Sequence, residues 1–340
     1  MPLPCPLHAG WDVVEQVVLP PRTGGGFSAG AYRHAQDELW LLSDAPRGSI
    51  SRWRGMRQGG LAALEPLPPW PLAEPPTMDG EGLVIQGDSA WVASEGRLAP
   101  PRQAALLRYD LHTGQLRQEL ALPADWQLQA HRGLRSNGGP EPLTTAGPAG
   151  ALLMAAENPL LQDPPDRVRL LRWEPGPGGG LVPRAMQPLA IPPGNWGLTD
   201  LLALPSGQPP TALLGIWRRF EPPSRWQARL VLYPWPSEQA NDPPLIPRQQ
   251  WNLLQLGLAA DNWEVLLEGP ALHDGRSSLL LASDDNFNPL QASHLVRLAP
   301  RRPAPAATWH GQHQHPAGRP WPDAAGRDPG RDRSCGGDGP

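Results

Sequence analysis

Lysine does not occur in this chain. All 29 basic residues are arginine, which excludes a lysine Schiff base and a P-loop lysine outright. Codon bias accounts for such an absence as readily as function does. Cysteine is nearly missing: Cys5 and Cys335 lie near opposite ends, so neither a metal knuckle nor a disulfide framework is available. No run approaches the roughly 18 apolar residues of a membrane-crossing helix. Residues 1–10 lack the charged-then-apolar order of a secretory leader. As written the chain reads as unexported, and a truncated start would reverse that reading. Positive charge is also in deficit, since the net charge is −4. A nucleic-acid binder needs a basic stripe to displace phosphate counterions, and none is present.

What the chain has in excess is proline and glycine, 47 and 37 of 340 residues. That is about a quarter, close to the composition of low-complexity chains. Against it stand 15 tryptophans and many short Leu/Val runs that can bury enough apolar surface to offset chain entropy. Interior proline removes a helix hydrogen bond and clashes with the preceding turn, so long helices are excluded and a mainly β fold is expected.

The apolar runs carry a repeat. LWLLSD at 39–44, AWVASE at 90–95, LLMAAE at 152–157 and LLLASD at 279–284 each close a short strand with a small residue and a carboxylate. The carboxylates Asp44, Glu95, Glu157 and Asp284 are 51, 62 and 127 residues apart. TALLGIWR at 211–218 fills the double gap, with Trp217 where the acid is expected. A second mark precedes each first one: FSAGAY near Gly30, DGEGLVI with Glu81, GPEPLTT with Glu141, LTDLLAL with Asp200, and NWEVLLEGP with Glu264. An antiparallel hairpin brings the start of its first strand and the end of its second to one edge. Both acids of a module are therefore expected on one face.

Further hairpin signals lie between the marks, at 105–123, 168–191 and 226–235. Four strands per module is the arithmetic of a propeller blade. Five blades are counted, and irregular segments such as 124–138 leave room for a sixth. The last module is one strand short, and VVEQVVL at 13–19 is expected to complete it and close the ring by pairing N- and C-terminal strands. The propeller domain is placed at 1–300. Residues 301–340, rich in Pro, Gly and Arg with no apolar periodicity, are expected to be disordered. His310, His313 and His315 there suit a soft metal or a merely solvated tail.

Inner strands of a propeller converge on a central channel, which would gather acids scattered over the chain: Asp44, Asp79, Glu81, Glu95, Glu141, Glu157, Asp200, Glu264, Asp284 and Asp285. Such crowding repels unless protons or a cation neutralise it. Oxygen donors in that number suit Ca²⁺ or Mg²⁺ rather than zinc. For any one acid an Asx turn or a solvated strand end is a sufficient explanation, and only the repetition favours a site. Arg135 and Arg218 near the marks suit a phosphate or carboxylate substrate, or inter-blade ion pairs. Trp40, Trp91, Trp173, Trp196, Trp217 and Trp263 are expected to pack between blades. Ser28 and Ser43 lack a G-x-S-x-G elbow, so a serine-triad esterase is not indicated.

MDGEGLVI with WVASEG (78–96), SNGGPEPL with AAENPL (136–160), LTDLLAL (198–204) and, most specifically, NWEVLLEGPALHDGRSSLLLASDDNFNPLQ (262–291) resemble the phytase-like family described as "esterase-like activity of phytase". The resemblance spans 26–299 with motif order kept. It implies a β-propeller, usually exported or periplasmic, with hydrolytic activity. It puts Asp79, Glu81, Glu95, Glu141, Glu157, Asp200, Glu264, Asp284, Asp285 and Asn286 at acidic motif positions. Departures are Ser28-Ala29 for Ser-Gly, Gly139-Pro140-Glu141-Pro142 for Gly-Phe-Glu-Gly, Trp217-Arg218 for Glu-Arg, and Asn262-Trp263-Glu264-Val265 for Asn-Ile-Glu-Gly.

The expected protein is a monomeric ester or phosphoester hydrolase acting on a small molecule. Glu81, Glu141 and Glu264 are its catalytic carboxylates. Asp44, Asp79, Glu95, Glu157, Asp200, Asp284, Asp285 and Asn286 hold Ca²⁺, or Mg²⁺, and Arg135 and Arg218 hold substrate charge. The rival is a non-catalytic propeller whose acidic face recognises a protein or glycan, and a lactonase-type propeller is a third reading.

Overall fold

The computed structural model describes residues 10–301 apart from 46–47, 73–77, 99–100, 148–149, 177–179 and 206–207. The expected disorder after 301, its three histidines, Cys5 and Cys335 lie outside the described residues. Five four-stranded antiparallel sheets form a five-bladed propeller. Blade I runs Phe27–Arg33, Glu38–Ser43, Ser49–Arg54 and Glu65–Pro71. Blade II runs Gly80–Gln86, Ser89–Ser94, Ala105–Asp110 and Leu116–Ala121. Blade III is Leu143–Thr145, Leu152–Ala155, Arg167–Pro175 and Leu181–Ala190. Blade IV is Gly197–Leu204, Ala212–Glu221, Arg225–Pro234 and Gln249–Asn252. Blade V joins Asn262–Gly269, Ser278–Asp284 and His294–Pro300 to the N-terminal strand Trp11–Val18.

That last pairing closes the ring as expected, with Trp11 opposite Pro300 and Val18 opposite His294. Among the described residues no sixth blade is formed. Segment 124–138 instead turns back on the propeller and sends Trp126 and Leu134 into the core between blades II and III. Among the described residues no helix is long and apolar enough to cross a membrane.

The core is divided into five clusters, one at each interface between adjacent blades. Alternation along a strand sends neighbours to opposite faces. Trp40 and Leu42 thus face blade II while Leu39 and Leu41 face blade V. Both faces of the strand are covered, which is why LWLLS reads as a continuous apolar run rather than an alternating one. All six tryptophans assigned to packing are buried. Arginines lie over the rings of several, as Arg219 and Arg229 do over Trp196 at 4.7 and 4.6 Å, a contact suited to a planar guanidinium.

Candidate functional site at one mouth of the channel

The inner hairpins share one irregularity. In blades I, II, IV and V the pairing slips by one residue at Ser28, Glu81, Thr199 and Glu264. In blade III the amide of Glu157 donates to Gly139 and that of Ala155 to Pro142, leaving the same extra residue around Glu141. A β-bulge re-aims a side chain that regular pleating would bury in the sheet. The three glutamates expected to be catalytic therefore occupy equivalent bulges. The other two bulges carry hydroxyls that tie the ring together: Ser28 donates to the Gly80 carbonyl of blade II at 2.5 Å, and Thr199 to the Trp263 carbonyl of blade V at 3.1 Å.

The end of each second inner strand meets the residue two before the bulge. Asp44 pairs with Gly26, Glu95 with Asp79, Glu157 with Gly139, Asp284 with Asn262, and Arg218 with Gly197. The acid missing from the fourth module is thus replaced by Arg218, not by Trp217. Trp217 sits one residue earlier, wholly buried between blades III and IV. The apolar run thus extends one residue further here than in the other modules, through Trp217, before the strand-end position is reached.

These positions line a cavity of about 400 Å³. Its walls carry the carboxylates Asp44, Asp79, Glu81, Glu95, Glu141, Glu157, Glu264 and Asp284, with Arg218 and the amides Asn137, Asn262 and Asn286. Glycine makes the convergence possible. A Cβ on Gly197 would lie 2.2 Å from Glu157 Oε1, and one on Gly139 would lie 2.5 Å from Glu95. The Gly139 amide donates to Glu95.

Three expected site residues do not reach the cavity. Asp200 follows its bulge instead of occupying it, so its side chain turns inward. There it accepts the Leu201 amide at 2.8 Å and the Leu266 amide of the next blade at 2.7 Å. Asp285 accepts the amides of Gly26 and Phe287 at 2.9 and 3.0 Å and the Ser293 hydroxyl at 3.1 Å, a turn role that also links blade V to blade I. Arg135 donates to the Pro159 carbonyl at 3.0 Å. Conversely, Asn137 and Asn262 were missed as site residues. Asn262 sits in register with Asp79, but that equivalence shows only once the bulges are aligned.

Arg218 is the cation of this mouth, 3.0 Å from Glu264 and 3.8 Å from Glu157. Asn262 donates to Glu264 at 2.8 Å and to Asp284 at 3.1 Å. Burial pushes the carboxyl pKa values of Asp44, Glu81, Glu95, Glu141, Glu264 and Asp284 up, and neighbouring acids add to it. Asp44 rises to about 7, with Asp284 and Asp79 beside it. Glu95 rises to about 7 although its bond from Gly139 opposes the change. Glu264 rises to about 8 against the pull of Arg218, and Asp284 to about 6. Glu81 and Glu141 go well above the usual range, burial again leading, followed by repulsion from Glu264 and Glu157 respectively. Desolvation opposes the charge of Arg218, but the surrounding glutamates outweigh it and hold the guanidinium protonated.

The donor set fits a hard cation in its chemistry, being oxygen throughout apart from Arg218 and amide nitrogens. Asp44 Oδ1 and Asn262 Oδ1 are buried there without hydrogen-bond partners. Among the described residues, however, no three carboxylates or imidazoles stand together as a ready coordination sphere.

No curated protein matches the chain in sequence. Solved structures similar to it include the soluble aldose sugar dehydrogenase of Escherichia coli in its apo form, at 11% identity over 86% of this chain and 99% of that one, with a TM-score of 0.42. An α-L-arabinanase mutant from Cellvibrio cellulosa is similar at 10% identity over 81% and 91%, with a TM-score of 0.44. A hypothetical selenium-binding protein from Sulfolobus tokodaii is similar at 12% identity over 73% of this chain and 56% of that one, with a TM-score of 0.40. The chain thus spans just over half the length of the last. The model of the phytase-like family described as "esterase-like activity of phytase" matches residues 22–287, and the chain belongs to that family.

Proposed function

We propose that the acidic mouth is the active site of a divalent-cation-dependent hydrolase acting on a small phosphate ester or related ester. The observation that carries this reading is the convergence of eight carboxylates on a cavity with one arginine. Charges so placed destabilise the fold unless protonated or neutralised. Asp44, Asp79, Glu95, Glu157 and Asp284 would hold Ca²⁺, or Mg²⁺, with Asn286. A cation there supplies positive charge that polarises an ester oxygen.

The chain's own residues do the rest. Glu264, pushed up to about 8 by burial, would be freed to accept a proton from water once positive charge in the mouth draws its pKa down, and Glu81 and Glu141 occupy the equivalent bulges. Asn262 orients Glu264 through its amide. Arg218, anchored between Glu157 and Glu264, is positioned to hold developing negative charge on the substrate.

Purified protein should gain thermal stability with Ca²⁺ and lose it with chelator. It should hydrolyse members of a panel of phosphomonoesters, phytate, carboxylic esters and lactones. Loss of both responses would overturn the reading. The rival is a non-catalytic acidic face that recognises a partner, supported by the same excess of carboxylates over one arginine. A melt unmoved by Ca²⁺ together with an inert panel is the outcome that rival expects.

A further inference from the structure

A second hollow of about 550 Å³ adjoins the mouth, and Asn286 lines both. Its character is different. Phe220 and Trp226 line it with their rings 4.7 Å apart, together with Leu290, Ala259 and Ala260. Phe220 is 45% and Leu290 92% exposed, so this chain leaves substantial apolar surface in water there. Asp261 and His294 are the lining residues able to carry charge, and they stand 3.5 Å apart. The hollow thus holds a single carboxylate, whereas the mouth is crowded with acids. Arg218 joins the two physically, its guanidinium pairing with Glu264 in the mouth and lying 5.6 Å from the Trp226 ring at the edge of the groove.

We infer that this groove is the subsite for an uncharged, apolar acyl group of the substrate, whose ester linkage lies in the acidic mouth. The inference rests on the hydrolase reading and narrows its substrate class. A ligand reaching from mouth to groove passes Asn286, and only its first end meets charge. A compact polyanion would leave the groove empty and meet eight carboxylates against one guanidinium. An apolar chain would cover Leu290 and Phe220, and each methylene so buried is worth roughly fourfold in binding.

The test is a series of methyl esters from acetate to octanoate, with acid release followed by titration in the presence of Ca²⁺. The full chain is compared with Leu290→Ser and Phe220→Ala, both at exposed positions where folding is readily confirmed by an unchanged melt. The octanoate ester should exceed the acetate ester in kcat/KM by about tenfold or more, and both substitutions should shrink that ratio toward unity. Hydrolysis with no chain-length preference, or a preference that survives both substitutions, overturns the groove while leaving the mouth's chemistry intact. If no ester is hydrolysed, calorimetry with octanamide separates the two ideas. Binding that weakens severalfold in Leu290→Ser supports the groove even as the hydrolase reading fails, and no binding, or binding unaltered by the substitution, overturns it.

Discussion

At the scale of single residues, the site is an exercise in placing like charges side by side. Asp44, Glu95, Glu264 and Asp284 hold protons up to about pH 7, 7, 8 and 6, whereas Asp and Glu in an unfolded chain titrate near 4. The folded state therefore binds more protons than the unfolded state between roughly pH 4 and 8, and stability falls as pH rises through that window. Without added metal, the melting temperature should be higher at pH 5 than at pH 8.5. If a cation replaces the lost protons, Ca²⁺ should raise it more at pH 8.5 than at pH 5. A melt that is flat or climbs from pH 5 to 8.5 in chelator would show that the carboxyls are not crowded as described. Glu264→Gln keeps the shape of the side chain but removes the proton acceptor, and should lower kcat by about a hundredfold or more with little change in the melt. The strand-end position expected at Trp217 is held by Arg218 instead. A one-residue shift in register moves a side chain to the other face of a strand, so Trp217 packs in the core while Arg218 enters the mouth.

At the scale of the hairpin, the repeated bulge does what neither residue type nor strand propensity could. It turns Glu81, Glu141 and Glu264 toward the axis and leaves the residue after each in the sheet. Asp200 shows the difference, since it lies one position beyond the bulge at Thr199 and works as a staple between blades IV and V. Asp200→Ala would strip the acceptor from two buried amides, each worth roughly 1–3 kcal/mol. Thermal unfolding should show a loss of several degrees without any change in Ca²⁺ response. Unchanged stability would contradict the staple. Gly197→Ala should do the reverse. Its new Cβ, 2.2 Å from Glu157 Oε1, displaces the carboxylate that helps to anchor Arg218. Activity should drop by more than the melt accounts for, and an active, stable variant would remove Glu157 from the site. The acids at the ends of these hairpins were visible in the sequence because each mark carries one in four of the five modules. The amides Asn137 and Asn262 were not, because the repeat was read from its carboxylates: Asn262 stands in its strand where blade II has Asp79, and Asn137 lies in a turn outside the named strands.

At the scale of the whole molecule, the ring is closed by a strand from the other end of the chain. Trp11–Val18 covers the edge of His294–Pro300, and Leu19 enters the core between blades V and I. Deleting residues 1–19 would expose a full strand edge, a template for pairing with other chains. Light scattering on the truncated protein should show self-association at micromolar concentration, and a stable, dispersed truncation would mean that blades I and V hold the ring by packing alone. Closure also explains why the mouth exists at all. Residues from Asp44 to Asp284 become neighbours only because the fifth interface brings blade V back against blade I.

The amino-acid sequence alone determined the architecture of this protein. Proline excluded long helices, and apolar runs at regular spacing demanded sheets covered on both faces. A lone strand at the N-terminus matched the one lacking at the end. It also determined which acids recur, since charge at strand ends is a local property. Only the tertiary structure decided which of those acids share a cavity. Whether a side chain faces the channel depends on a one-residue bulge and on the register across it, and these are set by hydrogen bonds between strands rather than by the identity of the residue. That is why Glu264 and Asp200, equivalent on the page, end on opposite sides of their strands, one in the mouth and one holding two blades together.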